Sequence, residues 1–345
     1  MDILERVLNT NVFFIVGNSR SGTTLVARIL KSHPEIHVLN ETHFMEEFVS
    51  ERERFGELTT QEIKTVINRL LVIQKKDYYR KHEYEEYPDE SEQIFSLFEA
   101  EESKSFANLI LAFFNCQAKK FGCKIIGDQT PRHVFYISEL GKMFPDAKFI
   151  HMIRDPRAIL LSQKKKWQAG LRLKQPRFEV IRTFLNYHPV TTSFIWKKAI
   201  NAGLTPYQQL PRDRILTIKF EDLVRDPEYL TKRICDFLKI EFNCNMLNVT
   251  VELSATKAFE GKRGIQKAIA ERWKTDLPKT EVYICEQINR ALMNDLGYPL
   301  TGVHPNILKL FVYVAVLPYQ LGVAFILNLG RMGDPIAYIK KRLFN

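Results

Sequence analysis

Five short apolar runs, Val12 to Val16, Ile36 to Leu39, Lys124 to Ile126, Lys148 to Ile153 and Ile215 to Lys219, punctuate a chain whose intervening stretches carry helical spacing. Runs of this kind, bounded by helical pattern, suit strands buried on both faces and predict parallel βαβ units. The expected fold is α/β, a P-loop-like doubly wound parallel sheet flanked by helices. The 345 residues fit one such unit with additions and contain no internal repeat. Between Glu46 and Lys120 the composition becomes charged and aromatic, centred on the run from Lys75 to Tyr87. This predicts a helical insertion over 46–120, a lid or wall over a site, although a solvated charged face is the plainer source of such a run.

A different pattern closes the chain. Leu310 to Gly330 runs 21 residues without a charge, long enough to cross a bilayer core. Pro318, Gln320 and Asn328 interrupt it, and basic residues stand at both ends (Lys309; Arg331 and Lys340 to Arg342), so nothing orients a span. The expected form is a monotopic helical hairpin in the membrane interface, its basic end on acidic headgroups. The alternative is a pair of hydrophobic helices packed on the core or on a second subunit. The division expected is a main domain over 1–303 and a membrane-associated tail over 304–345.

Two runs carry chemistry. Phe13 to Val16 feeds Gly17-Asn18-Ser19-Arg20-Ser21-Gly22-Thr23-Thr24 and then a helix, the layout of a phosphate cradle. Its glycines keep a Walker A spacing, but Thr23 stands where the lysine that reaches a nucleotide's terminal phosphates belongs. Arg20, the hydroxyls of Ser21, Thr23 and Thr24, and the helix start still suit a phosphate-like group. In the second run, Lys148 to Ile153 ends in Arg154-Asp155-Pro156-Arg157, placing a cation at the carboxyl end of a buried strand, where open α/β sheets bind ligands. Pro156 suits the first turn of a helix and Asp155 suits its cap rather than a Mg²⁺ site. Ser162 falls two turns along that helix and can join Arg154 only if the chain folds back at Asp155-Pro156.

With these residues the chain resembles the sulfotransferases that use 3′-phosphoadenosine 5′-phosphosulfate (PAPS), especially the tyrosylprotein, bacterial and carbohydrate branch. The likeness continues through Asp128 to His133, Ile218 to Leu223 with Pro227, and Glu271 to Lys274 with Leu296-Gly297-Tyr298, covering about residues 11 to 44 and 123 to 300. It implies that Arg20, Ser21, Gly22, Thr23 and Thr24 grip the 5′-phosphosulfate and that Arg154 and Ser162 hold the 3′-phosphate. It also implies nucleotide contacts from Arg272 and from Phe220, for which a core role is equally open, and Arg263 lies in a glycine-flanked basic loop that can cover the nucleotide. Glu41, after the second strand, is the implied general base; His43 is the alternative base, with a supporting hydrogen bond as its plainer role. Relatives often carry a lysine before Thr-Pro where this chain has Gln129, so Arg20 must supply more of the positive charge, with Arg132 a helper. His133 and His151 are weaker candidates, His151 as a strand histidine.

The implied activity is PAPS-dependent transfer of a sulfuryl group to a hydroxyl acceptor, small molecule or lipid, with no metal. The readings kept beside it are a P-loop kinase-like phosphotransferase and a non-catalytic nucleotide-binding membrane protein on the same fold. A net charge of +10 fits an anionic donor and an anionic membrane surface, and no stripe of basic and stacking residues suggests nucleic acid. Five scattered cysteines form neither a disulfide framework nor a metal-ligand spacing, which suits a reducing compartment. Met1 to Thr10 is charged, so neither a signal nor an N-terminal anchor is expected. The expected location is cytoplasmic, peripheral or monotopic on the cytoplasmic membrane face, with a homo-oligomer left open.

Overall fold

The computed structural model describes residues 11–76, 78, 86–208, 210–249 and 268–329. Arg263 and its glycine-flanked loop, most of the run from Lys75 to Tyr87, Met1 to Thr10 and Lys340 to Arg342 contain or consist of positions outside the described residues.

The first half of the chain runs β1 (Asn11–Gly17), α1 (Thr23–Lys31), β2 (Ile36–Leu39), α2 (Phe44–Glu47), α3 (Val49–Glu53), α4 (Thr60–Lys76), α5 (Pro88–Glu99), α6 (Phe106–Phe121), β3 (Ile125–Asp128), α7 (Ile137–Met143) and β4 (Lys148–Ile153). The second half adds α8 (Pro156–Lys164), α9 (Lys166–Arg172), α10 (Arg177–Leu185), α11 (Pro189–Leu204), β5 (Ile215–Lys219), α12 (Phe220–Arg225) and α13 (Pro227–Leu238). It closes with α14 (Ala268–Glu271), α15 (Trp273–Asp276), α16 (Lys279–Asp295) and α17 (Ile307–Asn328). The five strands form one parallel sheet in the order β2-β3-β1-β4-β5. From β1 the chain goes to the edge strand β2, returns through β3 between them, and then crosses to β4 and β5 on the other side of β1, so the order reverses beside β1, and that crevice at the carboxyl edge is where such sheets hold ligands.

Period-two alternation along β1 serves both faces. Phe13 and Ile15 pack with Ile150, Met152 and residues of α1 and α13, while Phe14 and Val16 face the opposite cluster. Each fully buried side chain of this kind contributes roughly 1.5–3 kcal/mol. Phe14 stacks on Phe149 at 5.4 Å between centroids. Residues 46–120 are helical where described, and they are more than a surface addition. Ile67 of α4, Phe98 of α5 and Phe113 of α6 share one cluster with Phe14 of β1. The helices thus form a layer on the sheet, and the charged residues face outward from it.

The tail departs from the expected hairpin. Ile307–Asn328 is a single helix that continues through Pro318. A proline inside a helix costs about 3 kcal/mol, and here hydrogen bonds to the body from Tyr313 on one side of it and Gln320 on the other hold both halves. Asn306 caps the helix by accepting from the Lys309 amide at 3.0 Å. An 18-residue stretch of it has a mean hydropathy of 2.1, and none of its residues is buried.

Candidate active site

The register places the loop after β1 beside the ends of β4 and β5: Gly17 pairs with Met152, and Ile153 with Lys219. Arg154 and Phe220, the next residues along, therefore stand side by side at the carboxyl edge, next to the start of the loop. Close approach explains the two glycines. Gly17 has φ +149°, and a Cβ there would lie 2.4 Å from the Met152 carbonyl. Gly22, at φ +102°, would put one 2.4 Å from the Phe220 ring. The Ser21 amide donates to the Asn18 carbonyl at 3.1 Å, closing the turn onto α1. Thr23 is buried and accepts from Gln129 Nε2 at 3.3 Å, while Thr24 is exposed. Gln129 thus stands against the turn and brings it a hydrogen bond without a charge.

Arg20 is where the two runs meet. Its Nε donates to Ser162 Oγ at 2.9 Å, and Arg154 Nη1 donates to the Arg20 carbonyl at 3.0 Å. The fold-back at Asp155-Pro156 that this convergence required is present: Asp155 caps α8 by accepting from the Arg157 amide at 2.8 Å. Asp155 is further occupied by the Arg157 guanidinium, which also reaches Glu286 at 2.7 Å and lies 3.8 Å over the Trp273 ring. Arg154 is held by Trp196 Nε1, which donates to its carbonyl at 2.9 Å, and by its own Nη2 bond to the Ile269 carbonyl. Its guanidinium sits 4.2 Å over Phe220. Phe220, 5% exposed, packs with Val224 and Ala270 beneath Gly22, so it serves as a packing wedge rather than an open stacking surface.

The electrostatics of this corner suit an anion. Burial, with the charge of Arg20, pushes the Arg154 guanidinium down to about 10 against the opposing pull of Glu221 and Asp155. Ser21 Oγ and Arg154 Nε are buried without a hydrogen-bond partner among the described residues. An unsatisfied buried donor costs about 1–3 kcal/mol, more for a charged group, and a phosphate-type oxygen is an acceptor of the kind each lacks.

Glu41 follows β2 with a side chain 40% exposed, and His43 Nε2 lies 2.9 Å from its Oε2. The two candidate bases are therefore one pair. Burial opposes the charge on each, but the contact with His43 outweighs it and lowers the Glu41 carboxyl, helped by the charges of Lys166 and Arg132. Hydrogen bonds with Glu41 and Glu46 likewise outweigh burial at His43 and raise its imidazole. An ionised Glu41 supported by a protonated His43 is the arrangement in which Glu41 accepts a proton. Both His43 (φ +51°) and Arg20 (φ +76°) adopt left-handed backbone that side chains avoid, a strain often found at functional positions.

A buried network that sequence reasoning missed fixes this pair. Thr42 Oγ1 donates to Asp128 Oδ1 at 2.9 Å, the Thr42 amide donates to Thr130 Oγ1 at 3.0 Å, and His133 Nδ1 lies 2.9 Å from Asp128 Oδ2. Tyr78 covers His43, with ring centroids 4.1 Å apart, and Gln74 Oε1 accepts from the Asn40 amide at 3.0 Å. The motif from Asp128 to His133 was visible in the sequence, but its pairing with Thr42 depends on the register of β2 with β3, Leu39 opposite Asp128. Arg132 donates to Glu46 at 2.9 Å, beside the pair. Arg272 donates to Asp276, which Lys165 also reaches, each at 2.6 Å. His151 is a core residue against Gly203, and burial pushes it down to about 4. Among the described residues no group of three or more His, Cys, Asp or Glu side chains is placed to hold a metal.

A parallel sheet with a glycine-framed turn, a helix start and two arginines at its switch point defines the chain as a P-loop-like α/β protein with an anion cradle. The sequence matches the family described as "Sulfotransferase family" over residues 13–243, more than half of the chain. The protein belongs to the sulfotransferase family. It is 26% identical over 253 residues to a protein-tyrosine sulfotransferase of Drosophila melanogaster, covering 71% of this chain and 42% of the relative. It is 29% identical over 125 residues to the omega-hydroxy-beta-dihydromenaquinone-9 sulfotransferase Stf3 of Mycobacterium tuberculosis, covering 34% of this chain and 29% of the relative. The chain thus spans less than half the length of either. The solved sulfotransferase domain from the curacin biosynthetic pathway shares the fold at a TM-score of 0.52 and 19% identity, over 85% of this chain and 99% of that one.

Proposed function

We propose that the protein is a sulfotransferase that takes its sulfuryl group from PAPS and makes a sulfate ester on the hydroxyl of a membrane-resident lipid. The observation that carries the donor assignment is the corner where Arg154, Arg20 and Ser162 meet, with two buried donors awaiting an anion. Arg154 and Ser162 hold the 3′-phosphate, the group that tells PAPS from ordinary adenine nucleotides. Arg20, the Ser21 to Thr24 turn and the start of α1 hold the 5′-phosphosulfate, with Arg263 and Arg272 as further nucleotide contacts. The donor supplies a sulfuryl group on a bridging oxygen. Glu41 takes the proton of the acceptor hydroxyl, His43 holds Glu41 in place and ionised, and Arg20 with Gln129 offsets charge on the leaving oxygen.

The acceptor assignment rests on α17. An apolar helix beside the catalytic domain (1–303) gives a lipid acceptor a reason that a soluble sugar or peptide does not. The mycobacterial relative is named for a menaquinone-type acceptor, and the fly relative for protein tyrosine. The 46–120 layer, whose Gln74 and Tyr78 stand over Asn40 and His43, serves as the acceptor wall. The 304–345 tail holds the enzyme on the cytoplasmic face of the membrane. The test is turnover with labelled PAPS and a lipid extract, with and without EDTA. Label should appear in the lipid phase at an unchanged rate in EDTA. Label transferred only from ATP, and only with Mg²⁺, favours a kinase instead.

A further inference from the structure

Beyond α17, the body carries a second apolar surface that no site residue uses. Leu171, Leu173, Phe178, Ile181 and Phe184 are each about half exposed, within one stretch of α9 and α10. Phe178, Ile181 and Phe184 recur every three residues along one side of α10, whereas Val180 and Arg182 are buried. Contiguous apolar patches of this kind on soluble monomers are rare and mark interaction sites. From residue 166 to residue 185 the only acid, Glu179, is paired with the buried Arg182, which leaves the exposed Lys174 and Arg177 and the half-buried Lys166 and Arg172 as the charges of this stretch. Apolar stripes interleaved with basic residues are what an anionic lipid surface binds.

The contacts of α17 say how such a surface would sit. Three of its polar residues turn toward the body: Tyr313 donates to Glu281 at 2.6 Å, Gln320 to the Leu185 carbonyl at 3.0 Å, and Asn328 accepts from Arg182 at 2.8 Å. These contacts run from residue 313 to residue 328, about 23 Å of helix at 1.5 Å per residue. A helix held to the body over that length lies along it, and most of the side chains it leaves outward are apolar. The end of α10 is where Gln320 and Asn328 dock, so the two apolar surfaces belong to adjoining helices.

Deepening the proposed membrane role, which it presupposes, we infer that α9, α10 and α17 form one surface seated in the interface of an anionic bilayer, with α9 leading from the lipid to Glu41. Phe184 of α10 meets Trp167 of α9 edge-on at 5.7 Å, and Trp167 adjoins Lys166, whose charge bears on Glu41. A lipid acceptor can keep its chain in the leaflet while its hydroxyl passes along α9.

Flotation of the full chain on phosphatidylglycerol–phosphatidylcholine vesicles tests this. Phe178→Glu with Ile181→Glu should lower vesicle affinity about 10- to 100-fold, the transfer of two half-exposed apolar side chains, and leave affinity for 3′-phosphoadenosine 5′-phosphate unchanged. Phe178→Trp should keep vesicle binding and show quenching by brominated acyl chains above the level of the three native tryptophans. Vesicle binding by the Glu variant equal to wild type, or no added quenching at position 178, overturns the inference while leaving the tail's own membrane role intact. A wild-type chain that ignores vesicles overturns both. If the wild type is a dimer without lipid and the Glu variant a monomer, a second copy covers the surface and the inference is again wrong. Nucleotide affinity reports on the donor assignment separately from all of these.

Discussion

Glu41 and His43 answer for each other, and the division of labour between them can be measured. Glu41→Gln keeps size and hydrogen bonding but cannot take a proton, so turnover should fall roughly 10²- to 10⁴-fold with nucleotide affinity unchanged. Normal turnover by this variant alongside a dead His43→Ala would reverse the roles. The pair also sets a pH window for stability. His43 is raised above its ordinary 6.5, so its contribution is complete below 6.5 and is lost as pH rises through its folded value. Glu41 is lowered below its ordinary 4.5, so its contribution is present above 4.5 and is lost as pH falls through its folded value. Melting temperatures measured across pH should therefore decline on the alkaline side of 6.5, and His43→Gln should remove that component. An unchanged alkaline decline in the variant would assign it to other groups. Both residues stood out in the sequence because they follow a short strand. Their mutual contact did not, because it depends on the left-handed backbone at His43, and nothing in the local pattern announces that.

At the level of elements, the cradle depends on the ends of β1, β4 and β5, brought together by register. Gly22→Ala should cost roughly 1–3 kcal/mol from its positive φ and, by pushing the loop off Phe220, should weaken nucleotide binding as well. Chemical denaturation and nucleotide titration of the variant measure the two effects, and a stable variant with full affinity would show that the loop tolerates the displacement. The strands were legible because each is a short apolar run between helical patterns, and β2, β4 and β5 keep the expected bounds. Phe220 was ambiguous for the same reason that strands are clear: burial on one side looks alike in a core and in a stacking site. The helices over 46–120 were legible as helices, but their charged outer faces concealed how much of the core they supply. The sequence predicts a hairpin for the tail because Pro318, Gln320 and Asn328 interrupt the apolar run and basic residues flank both its ends. Tertiary hydrogen bonds on either side of Pro318, invisible from the sequence, carry the helix across.

Over the whole molecule, one buried glutamate ties the exposed apolar helix α17 to the corner where Arg20 and Ser162 meet. Glu281 of α16 accepts from Tyr313 of α17 and from Lys164 of α8, and α8 also carries Ser162, the partner of Arg20. The exposed apolar helix is thus fastened to the same element that holds Arg20 through Ser162. The sequence separates these pieces by more than a hundred residues, so it announced the cradle and the tail but not their connection. In the proposed function this corner reads a 3′-phosphate. The most direct measurement is calorimetric titration of the full chain with 3′-phosphoadenosine 5′-phosphate and with ADP, repeated on Arg154→Ala. A charge-assisted contact contributes on the order of 1.5–3 kcal/mol, so the wild type should prefer the 3′-phosphorylated nucleotide by about ten- to a hundredfold, and the variant should lose that preference while binding ADP as before. Equal or tighter binding of ADP by the wild type, or an equal loss for both nucleotides in the variant, would contradict it.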